Sequence, residues 1–187
     1  MGRAAARAGS TRPALRDMSD SRTVKRPFGF VKGWTGRACD VTYGIMALRV
    51  VLDTDVMVAG LASAAGASRR LLLAALDGEV RLLLSTPLLL EYEAVLTRPA
   101  VLARAGVSAE EVLAVLDELA GVCAAVAFDY RWRPQARDPD DDLVLETAVN
   151  GGADVIATFN VADMQAGAWR FGIAVERPGA VVRRIQL

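Results

Sequence analysis

The sequence contains no histidine, and this absence excludes several kinds of catalytic and metal site. A Ser-His-Asp triad, a Cys-His dyad and the usual histidine-rich zinc sites all need an imidazole. The sequence also lacks the GxxxxGK[ST] phosphate loop and the GxGxxG dinucleotide fingerprint. Lys25 and Lys32 are its only lysines, and both precede the predicted globular region. Catalytic chemistry in that region must therefore come from carboxylates, hydroxyls, amides and arginines.

Cysteines and long apolar segments are scarce as well. Cys39 and Cys123 match no CxxC or zinc spacing, which favours a reducing, cytoplasmic location over a disulfide framework. No apolar run reaches the ~18 residues of a membrane span, so we expect a soluble protein that does not enter a membrane. A chain of 187 residues with 53% hydrophobic residues predicts one globular domain.

The charge is unevenly distributed, although its sum is zero. Residues 1–47 hold nine Lys/Arg and three Asp/Glu, about +6, and residues 48–187 carry about −6. The first segment shows no clean helical or strand period, so we interpret it as a flexible basic extension, with Met46 as an alternative start. An RNA-contacting tail or a transit-like leader is the weaker interpretation. The acidic remainder argues against nucleic-acid binding by bulk charge and fits carboxylates gathered around a metal ion.

From residue 48 onwards, strand and helix patterns alternate. Apolar runs predict strands over residues 48–52, 80–85, 122–128, 154–159 and 172–176. Amphipathic patterns and capping signals predict helices over residues 55–63, 68–77, 86–99, 108–120, 141–152 and 178–185. This order predicts an α/β fold: a Rossmann-related, three-layer α/β/α sandwich around a parallel sheet of four to five strands.

Two helix starts carry specific capping signals. Thr86 followed by Pro87 predicts an N-cap and a first turn. Ser108 followed three residues later by Glu111 predicts a capping box, in which each side chain bonds the other residue's backbone N–H.

Acidic and amide side chains recur where the predicted strands end, namely Asp53, Asp55, Glu91, Asp138, Asp140, Asp141, Asp142, Asn160 and Asp163. In parallel α/β sheets the carboxyl ends of the strands meet at one edge, where binding sites form. An acid in the first turn of a helix also favours the helix dipole, so each position alone has a structural explanation. Asp55, Asp140 and Asp142 fit that explanation, as caps or solvated acids, better than a ligand role. Recurrence at four junctions nevertheless predicts an acidic site.

Converging carboxylates without histidine suit Mg²⁺ or Mn²⁺, because hard cations prefer oxygen ligands. Such an ion can lower the pKa of a bound water and neutralise charge that develops on a phosphoryl group. The pattern therefore favours metal-assisted phosphodiester hydrolysis.

At these residues the sequence resembles the PIN domain family, in particular its toxin–antitoxin (VapC-like) ribonuclease subgroup. The matching stretches are VVLDTDVMVAGL, LLLSTPLLLEYEAVLTRP, RDPDDDLVLETAVNGGAD, VIATFNVADM and FGIAVERPGAVV, in family order over residues 48–187. The resemblance implies a PIN-like nuclease domain whose acidic pocket binds Mg²⁺ or Mn²⁺ and cleaves single-stranded RNA. It also implies a cognate antitoxin as partner, and a homodimer is expected.

The resemblance implies a role for particular residues. The metal-binding and catalytic acids would be Asp53, Glu91, Asp141 and Asp163. Supporting positions would be Thr54, Thr158 and Asn160, with Asp138 as a further candidate. As a separate hypothesis, Arg137, Arg131 and Arg133 contact RNA, although an anchor for the loop explains Arg131 and Arg133 equally well. Two positions depart from the family pattern: Asp55 stands where Asn is common, and Asn160 where many members carry Asp.

Three alternatives stay open on the sequence. VVLDTDV also matches the start of haloacid-dehalogenase-type phosphatases and suits a phospho-accepting receiver domain, yet both families usually place a lysine after a later strand. A catalytically inactive PIN-like binding module is the third. Its partner surface could be the apolar helices predicted over residues 68–77 and 108–120, although core packing explains their composition equally well.

Overall fold

A computed structural model describes residues 47–128 and 139–185 of the protein, and the side chains of residues 139–141 lie outside that description. The predictions for the extension over residues 1–46, for Asp138 and for the three arginines lie outside the described residues. The predicted domain boundary at residues 47 and 48 therefore stays a prediction.

Five short strands form one parallel sheet, as the alternating pattern predicts. They are β1 (Arg49–Leu52), β2 (Arg81–Ser85), β3 (Ala124–Val126), β4 (Val155–Ala157) and β5 (Ala174–Glu176). The spatial order is β3-β2-β1-β4-β5, and every neighbouring pair is parallel. In the central strand β1, Val50 pairs with Leu82 on one side and with Val155 on the other. Both faces of β1 are covered, which is why its sequence is a continuous apolar run.

Helices flank the sheet and complete the predicted α/β/α sandwich. They are α1 (Thr54–Ala62), α2 (Ala67–Leu76), α3 (Thr86–Leu96), α4 (Pro99–Ala105), α5 (Ala109–Val122), α6 (Pro139–Gly151), α7 (Val161–Ala168) and α8 (Pro178–Ile185). The sequence did not predict α4 or α7. Pro99 ends α3 as expected, but it also starts α4, because proline suits the first turn of a helix.

The predicted capping box and the place of Pro87 in the first turn of α3 are confirmed, but the predicted N-cap of α3 is wrong. Ser108 and Glu111 form the predicted capping box at the start of α5. Ser85, and not Thr86, caps α3: its side chain accepts a hydrogen bond from the Leu88 N–H at 3.3 Å. Because β2 runs directly into α3, the last strand residue has the extended backbone that an N-cap requires, and Thr86 is already helical.

The apolar faces of α2 and α5 lie in the core. Their buried members are Leu71, Leu72, Ala74 and Ala75 on α2 and Val112, Val115, Leu116 and Leu119 on α5. The two helices pack against each other, so core packing accounts for the apolar pattern that the sequence also allowed for a partner surface. Within the described ranges no single helix is long and apolar enough to cross a membrane; only α1 and α2 together pass by length and composition, with a 101° bend between them.

Candidate active site

Asp53 follows β1 directly, at the edge where β1 and β4 lie side by side and the strand order reverses. Its N–H donates to the carbonyl of Ala157 at 2.9 Å, and its own carbonyl accepts from Val56 at 3.0 Å and Met57 at 3.2 Å. The backbone of Asp53 thus belongs both to the sheet edge and to the first turn of α1. Asp53 is the N-cap residue by position, but its side chain makes no capping bond. The residue is only 7% exposed, and its carboxylate is left for another role.

Thr158 holds the Asp53 carboxylate. The Thr158 hydroxyl donates to Asp53 Oδ2 and accepts a hydrogen bond from the Asn160 N–H at 2.9 Å. The backbone of Thr158 is tied to β5 by a 3.0 Å bond from its N–H to the Glu176 carbonyl, and its side chain is fully buried. Because the Asn160 N–H donates to the oxygen of the Thr158 hydroxyl, the proton of that hydroxyl is directed at Asp53. Asn160 therefore acts on the site through its backbone.

The surroundings of Asp53 leave its negative charge incompletely compensated. Burial raises the pKa of Asp53 above its ordinary value, and the charge of Asp55 raises it further. The hydrogen bond from Thr158 and the nearby backbone N–H groups of Thr54 and Asp55 lower this pKa without cancelling the effect of burial. A buried carboxylate in this condition favours a nearby cation, because an opposite charge stabilises its ionised form.

Glu91 is held from the other side, by the residue that follows Asp53. Thr54 Oγ1 donates to Glu91 Oε1 at 2.7 Å, and the second oxygen, Oε2, is buried. Glu93 is exposed, as expected for a residue about 200° away around the helix. Adjacent threonine and aspartate side chains at the start of α1 thus face two different parts of the same site.

Tyr92 links α3 to the end of β1 immediately beside Asp53. Its side chain is fully buried, and its hydroxyl donates to the carbonyl of Leu52. Burial raises the pKa of Tyr92 well above its ordinary value, and the charges of Asp53 and Glu91 add to the increase. The hydroxyl therefore stays protonated and remains a donor. Nothing in the sequence pattern singled out this residue beyond its place between two acids.

The start of α3 is also tied to α6. Ser85 Oγ and Thr147 Oγ1 lie 2.7 Å apart, and Thr147 Oγ1 donates to the Leu143 carbonyl at 2.8 Å. This contact joins the helix that carries Glu91 to the helix that begins in the acidic stretch. The hydroxyl pair is buried, so its exchange with water is restricted.

The structure corrects the prediction for Asp142. We expected a cap or a solvated acid, but Asp142 is only 3% exposed, and Glu146, one turn later, is 1% exposed. Both residues have interaction partners. The spacing of four residues places them on one face of α6, and this spacing is the signal in the sequence that could have indicated their burial. Asp55, in contrast, is exposed in the first turn of α1, as predicted.

Hydrogen bonds bring together five of the predicted site residues, namely Asp53, Thr54, Glu91, Thr158 and Asn160. Asp163 lies partly buried in the first turn of α7. Among the side chains that the structure describes, no three acids, histidines or cysteines converge closely enough to hold a metal ion on their own. The side chain of Asp141 is not among them. The ligand roles of Asp141 and Asp163 therefore stay predictions.

The residues that are described fit a hard cation. Asp53 and Glu91 offer carboxylate oxygens, which Mg²⁺ and Mn²⁺ prefer as ligands. Mg²⁺ is commonly held by one or two protein carboxylates and completes its shell with waters and substrate phosphates. The buried Asp53 and the partly buried Glu91, each held by a threonine hydroxyl, satisfy that requirement.

Comparison with known families gives one match. A family model described as PIN domain matches residues 49–162, which is more than half of the chain. The matched segment begins at the first residue of β1, includes Asp53 and Glu91, and ends one residue before Asp163. No curated protein matches the chain.

Proposed function

The chain belongs to the PIN domain family, a family of nucleases, and from this premise we propose that it is a metal-dependent endoribonuclease acting on single-stranded RNA. The observation that supports the proposal best is the paired arrangement of two acids. Asp53 is held by Thr158 and Glu91 by Thr54, at the edge of the sheet where α/β proteins place their sites.

Asp53 and Glu91 would hold Mg²⁺ or Mn²⁺, with Asp141 and Asp163 as the further acids that the family resemblance implies. A divalent ion at this position supplies a water of lowered pKa and neutralises charge on the phosphoryl group. The supporting residues of the chain fix where that chemistry can occur. Such positioning commonly accounts for a large part of the rate enhancement of an enzyme.

Each supporting hydroxyl has a defined task. Thr158 keeps Asp53 in one orientation, because its own hydroxyl is fixed by the Asn160 N–H. Thr54 does the same for Glu91 through a bond of 2.7 Å. Tyr92 fills the space between α3 and β1 and excludes water from the rear of the site. Residues that orient metal ligands in this way typically affect metal affinity or activity ~10- to 100-fold.

Cleavage of RNA with Mn²⁺, mapped by sequencing, tests the proposal directly. We expect Asp53→Asn and Glu91→Gln to abolish cleavage, as should excess EDTA. Glu93→Gln is the matched control, since it makes the same chemical change on an exposed position two residues away. Full cleavage by Asp53→Asn, or in EDTA, would refute the proposal, and a wild-type protein without cleavage would favour the inactive binding module.

We also propose, from the resemblance to the toxin–antitoxin subgroup, that the enzyme is the toxin of such a pair. It would act on RNA in the cytoplasm, as a homodimer, with a cognate antitoxin protein as its inhibitor. Induced expression should then arrest growth in a manner that Asp53→Asn prevents. Growth that is insensitive to the wild-type protein, under conditions where cleavage is measured in extracts, would remove the toxin role and leave the ribonuclease.

A further inference from the structure

A groove of about 720 Å³ lies beside the acidic site. The residue after Thr158 is Phe159, which lines this groove and is 44% exposed. The other walls come from α1, the start of α2, the end of β5 and the start of α8. Because Thr158 holds Asp53 and Phe159 is its neighbour, the groove adjoins the same edge of the sheet as the carboxylates.

The charged residues of the groove are predominantly basic. Arg177 and Arg183 line it, and both are exposed. Within the described residues neither arginine side chain forms a hydrogen bond or an ion pair. The one acid among the lining residues, Glu176, accepts a 2.8 Å bond from Arg184, which lies outside the groove. Residues 48–187 carry a net negative charge, yet at this groove they present two arginine side chains that have no bonding partner among the described residues.

Small residues form the surface beneath one of these guanidinium groups. A Cβ atom added at Gly179 would lie 3.8 Å from Arg183 Nη1 and 3.9 Å from the Cβ of Ala67. The guanidinium therefore lies close above Gly179, at the junction of α2 and α8. Gly179 and Ala67 therefore place no bulky side chain in this part of the groove.

We infer that the groove binds the single-stranded RNA substrate next to the cleavage site, with Phe159 stacking on a base and Arg177 and Arg183 contacting phosphates. The inference rests on the proposed ribonuclease function and adds the path of the substrate. An exposed aromatic ring next to a basic track is the arrangement by which proteins bind single strands with little sequence preference. Carboxylates alone would repel RNA, so attraction must come from neighbouring cations. An apolar protein segment in the groove would instead bury two uncompensated guanidinium groups.

Stacking is tested by binding of a labelled ten-nucleotide oligouridylate to the full chain carrying Asp53→Asn, which prevents cleavage during the measurement. Phe159→Ala should weaken binding ~10-fold, since one stacked base contributes about 1–3 kcal/mol. Phe159→Leu, which stays apolar but is not aromatic, should weaken it similarly, whereas Phe159→Trp should retain affinity. Equal affinity of the Leu and Trp variants would overturn the stacking role.

The phosphate contacts are tested by the dependence of affinity on salt. Each of Arg177→Ala and Arg183→Ala should reduce the slope of log Kd against log salt by ~0.7, the value for one single-strand phosphate. Phe159→Ala should leave that slope unchanged. Arg104→Ala is the matched control, because it removes the same charge from an exposed position on α4 that does not line the groove. Equal slopes for Arg183→Ala and Arg104→Ala would overturn the phosphate role.

Sedimentation of the same variants separates RNA from a protein occupant. If Phe159→Ala and Arg183→Ala change self-association and leave RNA affinity intact, the groove is a protein interface and the inference is wrong. If the proposed ribonuclease function is wrong, the result is different: the wild-type protein does not cleave RNA, but RNA binding that depends on the groove residues persists. Thermal melting of each variant confirms that the exposed substitutions leave the fold intact.

Discussion

Replacement of Thr158 by valine tests the central geometry of the site most directly. Valine keeps the shape of threonine and removes only the hydroxyl, which bonds both Asp53 Oδ2 and the Asn160 N–H. Hydrogen bonds to charged groups contribute about 1.5–3 kcal/mol and neutral bonds about 0.5–1.5 kcal/mol. The side chain is fully buried, so water does not replace these bonds. We therefore expect a loss of about 3 kcal/mol and a fall in Tm of ~10 °C.

The matched control is Thr158→Ser, which keeps the hydroxyl and removes a methyl group. Loss of one buried methyl costs about 1 kcal/mol, so the serine variant should be clearly more stable than the valine variant. In an Asp53→Asn background the bond to residue 53 is no longer charge-assisted. The penalty for Thr158→Val should therefore shrink by roughly half in that background.

Two measurements check this prediction: thermal unfolding followed by circular dichroism, and the Mn²⁺ concentration needed for half-maximal RNA cleavage. The bond from Thr158 lowers the pKa of Asp53, so its loss raises that pKa further and weakens the ionised form. The Mn²⁺ requirement should increase ~10- to 100-fold in the valine variant and change little in the serine variant. Equal stability and equal Mn²⁺ requirement of the two variants would refute the argument that this hydroxyl positions Asp53.

Three further predictions concern stability. In the absence of metal, Asp53→Asn should raise the Tm at pH 7, because the pKa of Asp53 is higher in the folded protein than in the unfolded chain. Proton binding by Asp53 stabilises the fold fully below about pH 3.8, and this stabilisation is lost as the pH rises through the folded pKa. The advantage of asparagine should therefore vanish at low pH. Tyr92→Phe should cost about 1–3 kcal/mol in denaturant unfolding, because it leaves the Leu52 carbonyl without its donor. Ser108→Ala should cost about 1 kcal/mol by losing the capping box of α5, whereas Thr86→Ala should change stability by less than ~0.5 kcal/mol.

Specific outcomes would contradict these three predictions. An Asp53→Asn variant whose Tm advantage is the same at low and neutral pH would show that the effect does not come from the carboxylate charge. A Tyr92→Phe variant of unchanged stability would show that the bond to Leu52 has no net value. A larger loss from Thr86→Ala than from Ser108→Ala would restore Thr86 as a cap.

The strands were predictable because their environment imposes a simple pattern. A parallel strand covered on both faces needs apolar residues in succession, and β1, β2 and β4 have them. The helix α7 has no comparable signal. Its eight residues include three alanines and a glycine on a weakly periodic background, and its packing against β5 and α6 stabilises it as a helix. The helix α4 begins at Pro99, and local rules interpret this proline as the end of α3, so they give no sign of a new helix.

The site was predictable only in part, because local rules identify acids but not their burial. The position of Asp53 at the end of a buried strand made it a candidate site residue, and the resemblance to the family implied Thr54 and Thr158. The same local rules failed for Asp142. An acid in the first turn of a helix is usually solvated, but the face of α6 that carries Asp142 is buried. The role of Tyr92 depends on the distance between α3 and β1, which no local pattern encodes.

The properties of Asp53 favour the proposed role of metal ligand over that of a helix cap. A capping carboxylate bonds the N–H groups of its own helix, lies near solvent and has a lowered pKa, because those bonds favour its charge. Asp53 differs on each point: its side chain makes no capping bond, it is 7% exposed, and its pKa is raised. Its charge thus opposes folding in the absence of a cation, yet its backbone is bonded to both β4 and α1 and its side chain to Thr158. The proposed binding of a divalent cation would give this firmly held, destabilising carboxylate a function.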